Sequence, residues 1–243
     1  MNAAVPVNER TQRIGHQHLL FDPALWPDVS ADQLTVEHWR AQGAHAAAAG
    51  RGNAWFLARP DGEHWVLRHY QRGGLIRKLS PDRYIWLGAA RSRAWREFRL
   101  LQALTSAGLP VPRPVAACLN RHGLTDTGAL ITSRIPDAHS LGEHMQSGNL
   151  VPDDWQAVGR TIAHMHREQV WHADLNIANL LRDPSGQWTI IDLDRARLRE
   201  GQAWKAGNLG RLRRSVDKLL NQQPDIAFGE NNWNALLVAY QNA

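Results

Sequence analysis

The chain has 243 residues, enough for a sizeable core in one bilobed domain or two small ones, and its 43% hydrophobic and 21% charged content is ordinary for a soluble globular protein. No window reaches the roughly 18 apolar residues of a membrane span, and Cys118 is the only cysteine, so no internal disulfide can form, which is compatible with a reducing cytosol. The formal charge of +5 is uneven: residues 66–99 hold nine Lys/Arg against two acids, residues 195–218 hold eight against two, and the remainder is net negative. Two basic segments suggest an anionic partner: phosphorylated lipid, an acidic membrane surface or nucleic acid. Met1 to Pro23 has no long apolar core, so no signal peptide is expected there. The 11 Trp are read mainly as core residues.

Residues 1–40 read as a polar, irregular N-terminal extension, with a short helix over Ala31–Arg40 after Ser30. Gly50-Arg51-Gly52 leads into Trp55–Ala58, and the turn Pro60-Asp61-Gly62 leads into Trp65–Tyr70, which predicts a hairpin with a glycine-bearing loop at its start. Two glycines let backbone N–H groups approach phosphates closely. Strand alternation puts Val66, Arg68 and Tyr70 on one face and Trp65, Leu67 and His69 on the other. Over Arg91–Ala107, Ala94, Glu97, Leu101 and Leu104 share one helical stripe. Glu97 is its odd member: an unpaired buried carboxylate is costly, and Arg68 is the obvious partner, with Arg93 or Arg96 on the helix surface as the alternative. Gly108 to Pro112 ends the helix and leads into a strand. Gly128–Ile135 reads as a further strand, broken by Pro136.

After Pro152-Asp153, the stripe Trp155, Val158, Ile162, Met165 predicts a helix to about Gln169. His164 and His166 are two apart on it and point in different directions, so with His172 they do not suggest a metal site. Leu209, Leu212, Val216 and Leu219 form another stripe after Asn208, read as a cap, with Arg211, Arg213 and Arg214 pointing mainly away. Asn232 is read as the cap of a last helix bearing Trp233, Leu236, Leu237 and Tyr240.

The stretch from His172 to Asp194 carries the chemistry. Asp174 and Asn179 lie five positions apart in a loop, and Asp192 follows eighteen positions after Asp174. The apolar runs Leu180-Leu181 and Thr189-Ile190-Ile191 flank the turn Asp183-Pro184-Ser185-Gly186, which predicts a hairpin that returns Asp192 to the loop. The set comprises one carboxylate free to take a proton and an amide oxygen and second carboxylate able to hold Mg²⁺, which phosphoryl transfer from ATP requires.

This spacing resembles the catalytic loop and metal aspartate of protein-kinase-like phosphotransferases, H-x-D-L-x-x-x-N followed by D-F-G. Leu193-Asp194 replaces Phe-Gly, a departure common in kinases of small molecules and sugars, and one that argues against a regulated protein kinase. The resemblance implies an α+β, bilobed protein-kinase-like fold. A small antiparallel-sheet lobe would occupy residues 41–135, and a mainly helical lobe with the catalytic loop would occupy 136–243. It implies Asp174 as catalytic residue and Asn179 and Asp192 as metal ligands. It also implies Gly50 and Gly52 at the nucleotide, Val66 against adenine, Arg68 fixed by Glu97 at the phosphates, and backbone groups from Ser133 to Ile135 at the adenine hinge. Arginine replaces the usual lysine; it keeps the charge and can bind phosphate in a fork.

A narrower resemblance rests on Leu67–Leu75 with Gly73-Gly74, Gly108–Pro114 and His172–Asn176. Gly50–Gly52, Ala54–Phe56 and Trp204–Arg214 extend it, so that it spans residues 45 to 220. These are similar to the lipopolysaccharide kinase family, in its branch that phosphorylates 3-deoxy-D-manno-octulosonic acid (Kdo). The resemblance implies ATP- and Mg²⁺-dependent phosphorylation of the 4-hydroxyl of a Kdo residue on the lipid A precursor. It also implies peripheral attachment to the cytoplasmic face of the bacterial inner membrane. Arg72, Arg77, Lys78, Arg211, Arg213 and Arg214 are candidates for the acceptor's phosphates and carboxylate. No nucleic acid and no obligate protein partner are expected. The rivals are a soluble small-molecule kinase of aminoglycoside or choline type, an inactive kinase-like binding module, and a nucleic-acid binder using the basic segments.

Overall fold

Three antiparallel hairpins build the first sheet of the structure. A computed structural model describes residues 9–42, 45–46, 54–59, 61–70 and 84–243. Gly50, Gly52, Arg72, Gly73, Gly74, Arg77 and Lys78 lie outside the described residues. β1 (Arg10–Ile14) and β2 (Gln17–Phe21) pair around Gly15, whose φ of +58° suits a residue without Cβ. A 3₁₀ turn (Ala31–Leu34) and α1 (Val36–Arg40) follow, then β3 (His45–Ala46), β4 (Ala54–Ala58), β5 (His64–His69) and β6 (Tyr84–Ile85). After α2 (Arg93–Ser106) come β7 (Pro114–His122) and β8 (Thr125–Ser133). These strands form one antiparallel sheet in the order β1-β2-β7-β8-β5-β4-β3, with β6 also pairing β8.

The hairpin at residues 10–21 corrects the irregular reading of that segment. All five residues of β1 are exposed, so the strand carries no apolar alternation to read. Leu19, Leu20 and Phe21 are all buried, because β2 is covered on both faces: Leu19 and Phe21 join a core cluster with Trp26, Trp39, Trp65 and Ile131, and Leu20 is buried outside it. Trp26 packs against Trp65 at 5.0 Å between ring centroids. Asp22, fully buried, accepts a 2.7 Å ion-paired bond from Arg113 and a backbone bond from Ala24. Cys118 lies within the sheet, where burial pushes its thiol up to about 12.

The second compact unit runs from Pro136 and includes residues 107–111, whereas the first takes in the chain to Ser106 and Pro112–Ile135. In it, β9 (His139–Ser140) leads into α3 (Leu141–Ser147), capped reciprocally by Ser140 and Glu143. α4 (Pro152–Arg167) buries the expected stripe Trp155, Val158, Ile162 and Met165. The remaining elements are β10 (Val170–Trp171), β11 (Leu180–Arg182), β12 (Trp188–Ile190), β13 (Arg197–Leu198), α5 (Lys205–Gln222) and α6 (Glu230–Gln241). Gly229, not Asn232, is the N-cap of α6; the Asn232 side chain bonds back to the Gly229 N–H at 2.9 Å. The described residues hold no helix long and apolar enough to cross a membrane.

α4 and α6 meet at Gly159, where a Cβ would stand 2.2 Å from the Leu236 carbonyl oxygen. All three nearest atoms, the Leu236 carbonyl oxygen and carbon and the Tyr240 nitrogen, are helix backbone, so the crossing cannot yield locally. Gly159→Ala is therefore expected to destabilise the fold by about 3 kcal/mol. Gly207→Ala, on α5, adds a methyl that meets nothing within 4 Å, and is expected to stabilise it by up to about 1 kcal/mol. Urea unfolding of both variants checks the contrast.

Candidate active site

The segment from β10 to β13 is fastened at both ends, since Val170 pairs with Leu198 and Trp171 with Arg197. Between them, β11 and β12 form the expected hairpin, Leu180 opposite Ile190 and Arg182 opposite Trp188. The turn at Asp183–Gly186 closes with Gly186 N–H donating to Asp183 O at 3.0 Å, and Gly186 has φ +89°. The Ile191 N–H then donates to Asn179 O at 3.0 Å. The hairpin thus returns the chain beside the loop, as the spacing predicts.

His172 joins the two halves. Its Nδ1 accepts from the Asp174 N–H at 3.0 Å, so its Nε2–H donates to Ile191 O at 3.0 Å, one residue before Asp192. Burial holds its pKa below the ordinary histidine value, so the ring is neutral and keeps this one tautomer. Asp192 itself has φ +63°, a left-handed conformation uncommon outside glycine, in an exposed position followed by buried Leu193.

The loop is braced from within by side-chain amides. Asn176 and Asn179 both donate to Asp174 O, at 3.0 and 2.9 Å, and Asn176 Oδ1 accepts from the Ala178 N–H. α3 and α5 hold it from outside: Gly142 N–H donates to Ile177 O at 3.1 Å, and Ile177 N–H donates to Ser215 Oγ at 3.1 Å. The Asp174 carboxylate stays exposed, with Arg211 Nη1 of α5 3.5 Å away. With side-chain exposures of 46% for Arg211 and 63% for Asp174, this pair is screened and contributes under ~1 kcal/mol.

Asn208 is the residue the sequence reading misplaced. It lies inside α5, not at its cap, and is 1% exposed. Its Nδ2 donates to His172 O at 2.7 Å, and its Oδ1 accepts from His172 N–H at 3.1 Å and from His166 Nε2 at 3.3 Å. The signal was present: Asn208 shares the buried stripe of Leu212, Val216 and Leu219, and an amide there needs partners.

In the first unit, Arg68 and Glu97 meet as expected, Arg68 Nη2 to Glu97 Oε2 at 3.4 Å. Glu97 is 3% exposed, and its shorter partner is one the sequence reading did not assign, the Tyr70 hydroxyl at 2.6 Å. Burial, then the Glu97 charge, raises the Tyr70 pKa well above its usual value, so the hydroxyl remains a donor. Arg93, the alternative partner, stacks on Tyr70 and Tyr84 at 5.2 and 5.0 Å. Val66 is half-buried beside Arg68.

Two expectations need correction. The Ser133 N–H donates to Arg113 O at 2.8 Å and the Arg134 N–H to His64 O at 2.8 Å, so the sheet consumes both donors. Among the described residues of that segment, Ile135 keeps an N–H without a partner. Arg213 faces Asp217 and Glu230, at 2.8 and 2.7 Å, and covers the rings of Phe228 and Trp233; it anchors α6 and is not available to an anionic ligand. Arg214, on the same helix, is exposed.

Comparison with known proteins matches residues 36–240 to the lipopolysaccharide kinase (Kdo/WaaP) family. The chain is 44% identical, over 84% of its length and 82% of the relative's, to a 3-deoxy-D-manno-octulosonic acid kinase of Xanthomonas axonopodis pv. citri. It is 42% identical over the same shares to one of Stenotrophomonas maltophilia, and 43% identical over 78% of its length and 76% of the relative's to one of Xylella fastidiosa.

The clamp has a pH signature. Burial lowers the pKa of His166, which bonds Asn208 and the Tyr240 hydroxyl, to about 4. The unfolded chain takes up this proton near the ordinary histidine value, about 6.5. The stability from a neutral His166 is therefore complete above about pH 6.5 and is lost as pH falls toward about 4, by up to about 3 kcal/mol. His166→Gln is expected to lose less stability than the parent between about pH 7.5 and about pH 4.5; parallel losses in urea unfolding at those pH values would refute this.

Proposed function

Because the chain belongs to the lipopolysaccharide kinase (Kdo/WaaP) family, we propose that it transfers the terminal phosphoryl group of ATP to the 4-hydroxyl of a Kdo residue on the lipid A precursor. The observation that carries this reading is the exposed Asp174 carboxylate on a loop whose backbone is held by Asn176, Asn179 and His172, with His172 also tied to the carbonyl before Asp192. The names of the relatives support the acceptor.

Phosphoryl transfer asks little covalent chemistry of a protein; it asks for positioning and charge neutralisation. Asp174 Oδ accepts a hydrogen bond from the acceptor hydroxyl and takes its proton as the new O–P bond forms and the bond to the leaving ADP oxygen breaks. Asn179 and Asp192 would hold Mg²⁺. Asn179 Nδ2 is committed to Asp174 O, which leaves Oδ1 without a partner among the described residues, and the Asp192 carboxylate adds a second hard oxygen donor. The bound ion would neutralise phosphate charge. For the nucleotide we assign Arg68, held by Glu97, to the phosphates, Val66 and the Ile135 N–H to adenine, and Gly50 and Gly52 to the glycine-bearing loop. This reading takes 41–135 as the N-terminal kinase-like lobe and 136–243 as the lobe with the catalytic loop.

Arg211 makes its one ion pair among the described residues with Asp174. The pair is long and exposed, so Arg211 can exchange it for another anion. The acceptor is an acid, and its carboxylate offers Arg211 a better, bidentate partner. Arg214, Arg72, Arg77 and Lys78 remain candidates for the lipid's phosphates. A cationic acceptor of aminoglycoside or choline type is not favoured beside Arg211 and Arg214. The substrate places the enzyme at the cytoplasmic face of the inner membrane, peripherally bound.

Incubation with ATP, Mg²⁺ and Kdo-bearing lipid A precursor should yield a product one phosphoryl group heavier by mass analysis. Asp174→Asn is expected to cut turnover by about 10²–10⁴ with ATP binding intact; normal turnover would remove Asp174 from its role. Arg211→Gln is expected to lower kcat/KM roughly 10- to 100-fold for the carboxylate-bearing acceptor, and far less for one whose carboxyl is reduced to an alcohol. Equal losses on both acceptors would show that Arg211 does not read the carboxylate.

A further inference from the structure

Every exposed large apolar side chain in the described part of the first unit lies at one end of its sheet. Ile85 is 70% exposed, Leu87 63%, Leu124 85% and Ile14 52%. Backbone bonds fasten this end: Trp86 N–H donates to Leu124 O at 2.9 Å, and Arg121 N–H to the His16 carbonyl at 3.0 Å, in the turn just after Ile14. Trp86 is half-buried, its ring 5.2 Å from His18 and beneath the Arg121 guanidinium at 5.4 Å. Apolar side chains so exposed, clustered and held by ordered backbone lose solvation free energy unless something covers them.

The charge at this end selects what covers it. Residues 10–21, 84–96 and 113–125 contain no Asp or Glu, Asp126 beside them is buried at 4% exposure, and Arg13 and Arg121 are exposed at this end. Arg13 and Arg121 help burial to lower the pKa of His18, so positive potential is felt there. A second copy of the chain would bring like charges together. An anionic lipid surface accepts all three features: apolar tips enter the acyl boundary, indole sits at headgroup level, and guanidinium groups meet phosphate.

We propose that Ile85, Leu87 and Leu124, with Trp86 and the flanking Arg13 and Arg121, form the surface by which this protein docks on an anionic bilayer. The choice of lipid as occupant rests in part on the reading of the acceptor as a lipid; the apolar and cationic character of the surface does not.

The test is co-sedimentation of the full chain with vesicles of phosphatidylglycerol and phosphatidylethanolamine, against vesicles of phosphatidylcholine alone. The parent is expected to bind the anionic vesicles at least about tenfold more tightly. Ile85→Asp combined with Leu124→Asp is expected to weaken that binding at least about tenfold. Val238→Asp, on α6 in the second unit, should leave it unchanged. Arg13→Gln with Arg121→Gln, which leaves the apolar tips in place, should remove the preference for anionic lipid; thermal unfolding of each variant separates loss of docking from loss of fold. Parent protein that ignores anionic vesicles, or the double aspartate variant binding like the parent, would overturn the proposal. So would loss of a concentration-dependent dimer in that variant with vesicle binding kept, which would assign the surface to a second copy. Vesicle binding is read without turnover, so a parent that binds vesicles but does not phosphorylate Kdo would fail the functional reading alone.

Discussion

The side-chain amide of Asn208 imitates a neighbouring peptide: it gives one hydrogen bond to the carbonyl of His172 and takes one from its N–H. Both contacts are buried, so neither His172 group can turn to water if the amide is removed, and an orphaned buried polar group carries a penalty of about 1–3 kcal/mol. This clamp sets α5 against the loop. From His172 the constraint passes through one neutral ring to the Asp174 N–H on one side and to the Ile191 carbonyl on the other. Two carboxylates eighteen positions apart in sequence are therefore placed by a single imidazole, and that imidazole is placed by a single amide.

What the clamp achieves is preorganisation. Asp174 keeps an exposed carboxylate while its backbone is held at both its N–H and its carbonyl. Asp192 is held in a left-handed conformation by anchored neighbours, Ile191 bonded through both its N–H and its carbonyl and Leu193 buried. Strain of this kind persists only where the surroundings over-determine it. In the roles proposed for Asp174 and Asp192, these groups would need little reorganisation when substrates arrive, which is where positioning contributes most to a phosphoryl transfer.

Much of this was legible in the sequence because it follows from periodicity. The stripes on α2 and α4 gave those helices, and Glu97 on an apolar stripe pointed to Arg68. The hairpin returning Asp192 followed from two apolar runs around a turn. What stayed hidden depended on contacts between segments far apart in the chain. β1 is exposed along its length, so its membership of the sheet left no pattern. Tyr70 was on the correct face, but its bond to Glu97 depends on how α2 lies on the sheet. Asn208 was read as a cap because asparagine favours caps; its stripe position was the better guide. Arg213 looked like an anion-binding residue until α6 supplied Glu230.

Cys118 has a practical corollary. The sole sulfhydryl of the chain sits within the sheet at 2% exposure, and burial keeps it in the protonated form that does not attack electrophiles. The native protein is thus expected to react only slowly with maleimides. A fluorophore or spin label attached through a new cysteine at any surface position would report from that position alone, with no need to strip a native thiol first.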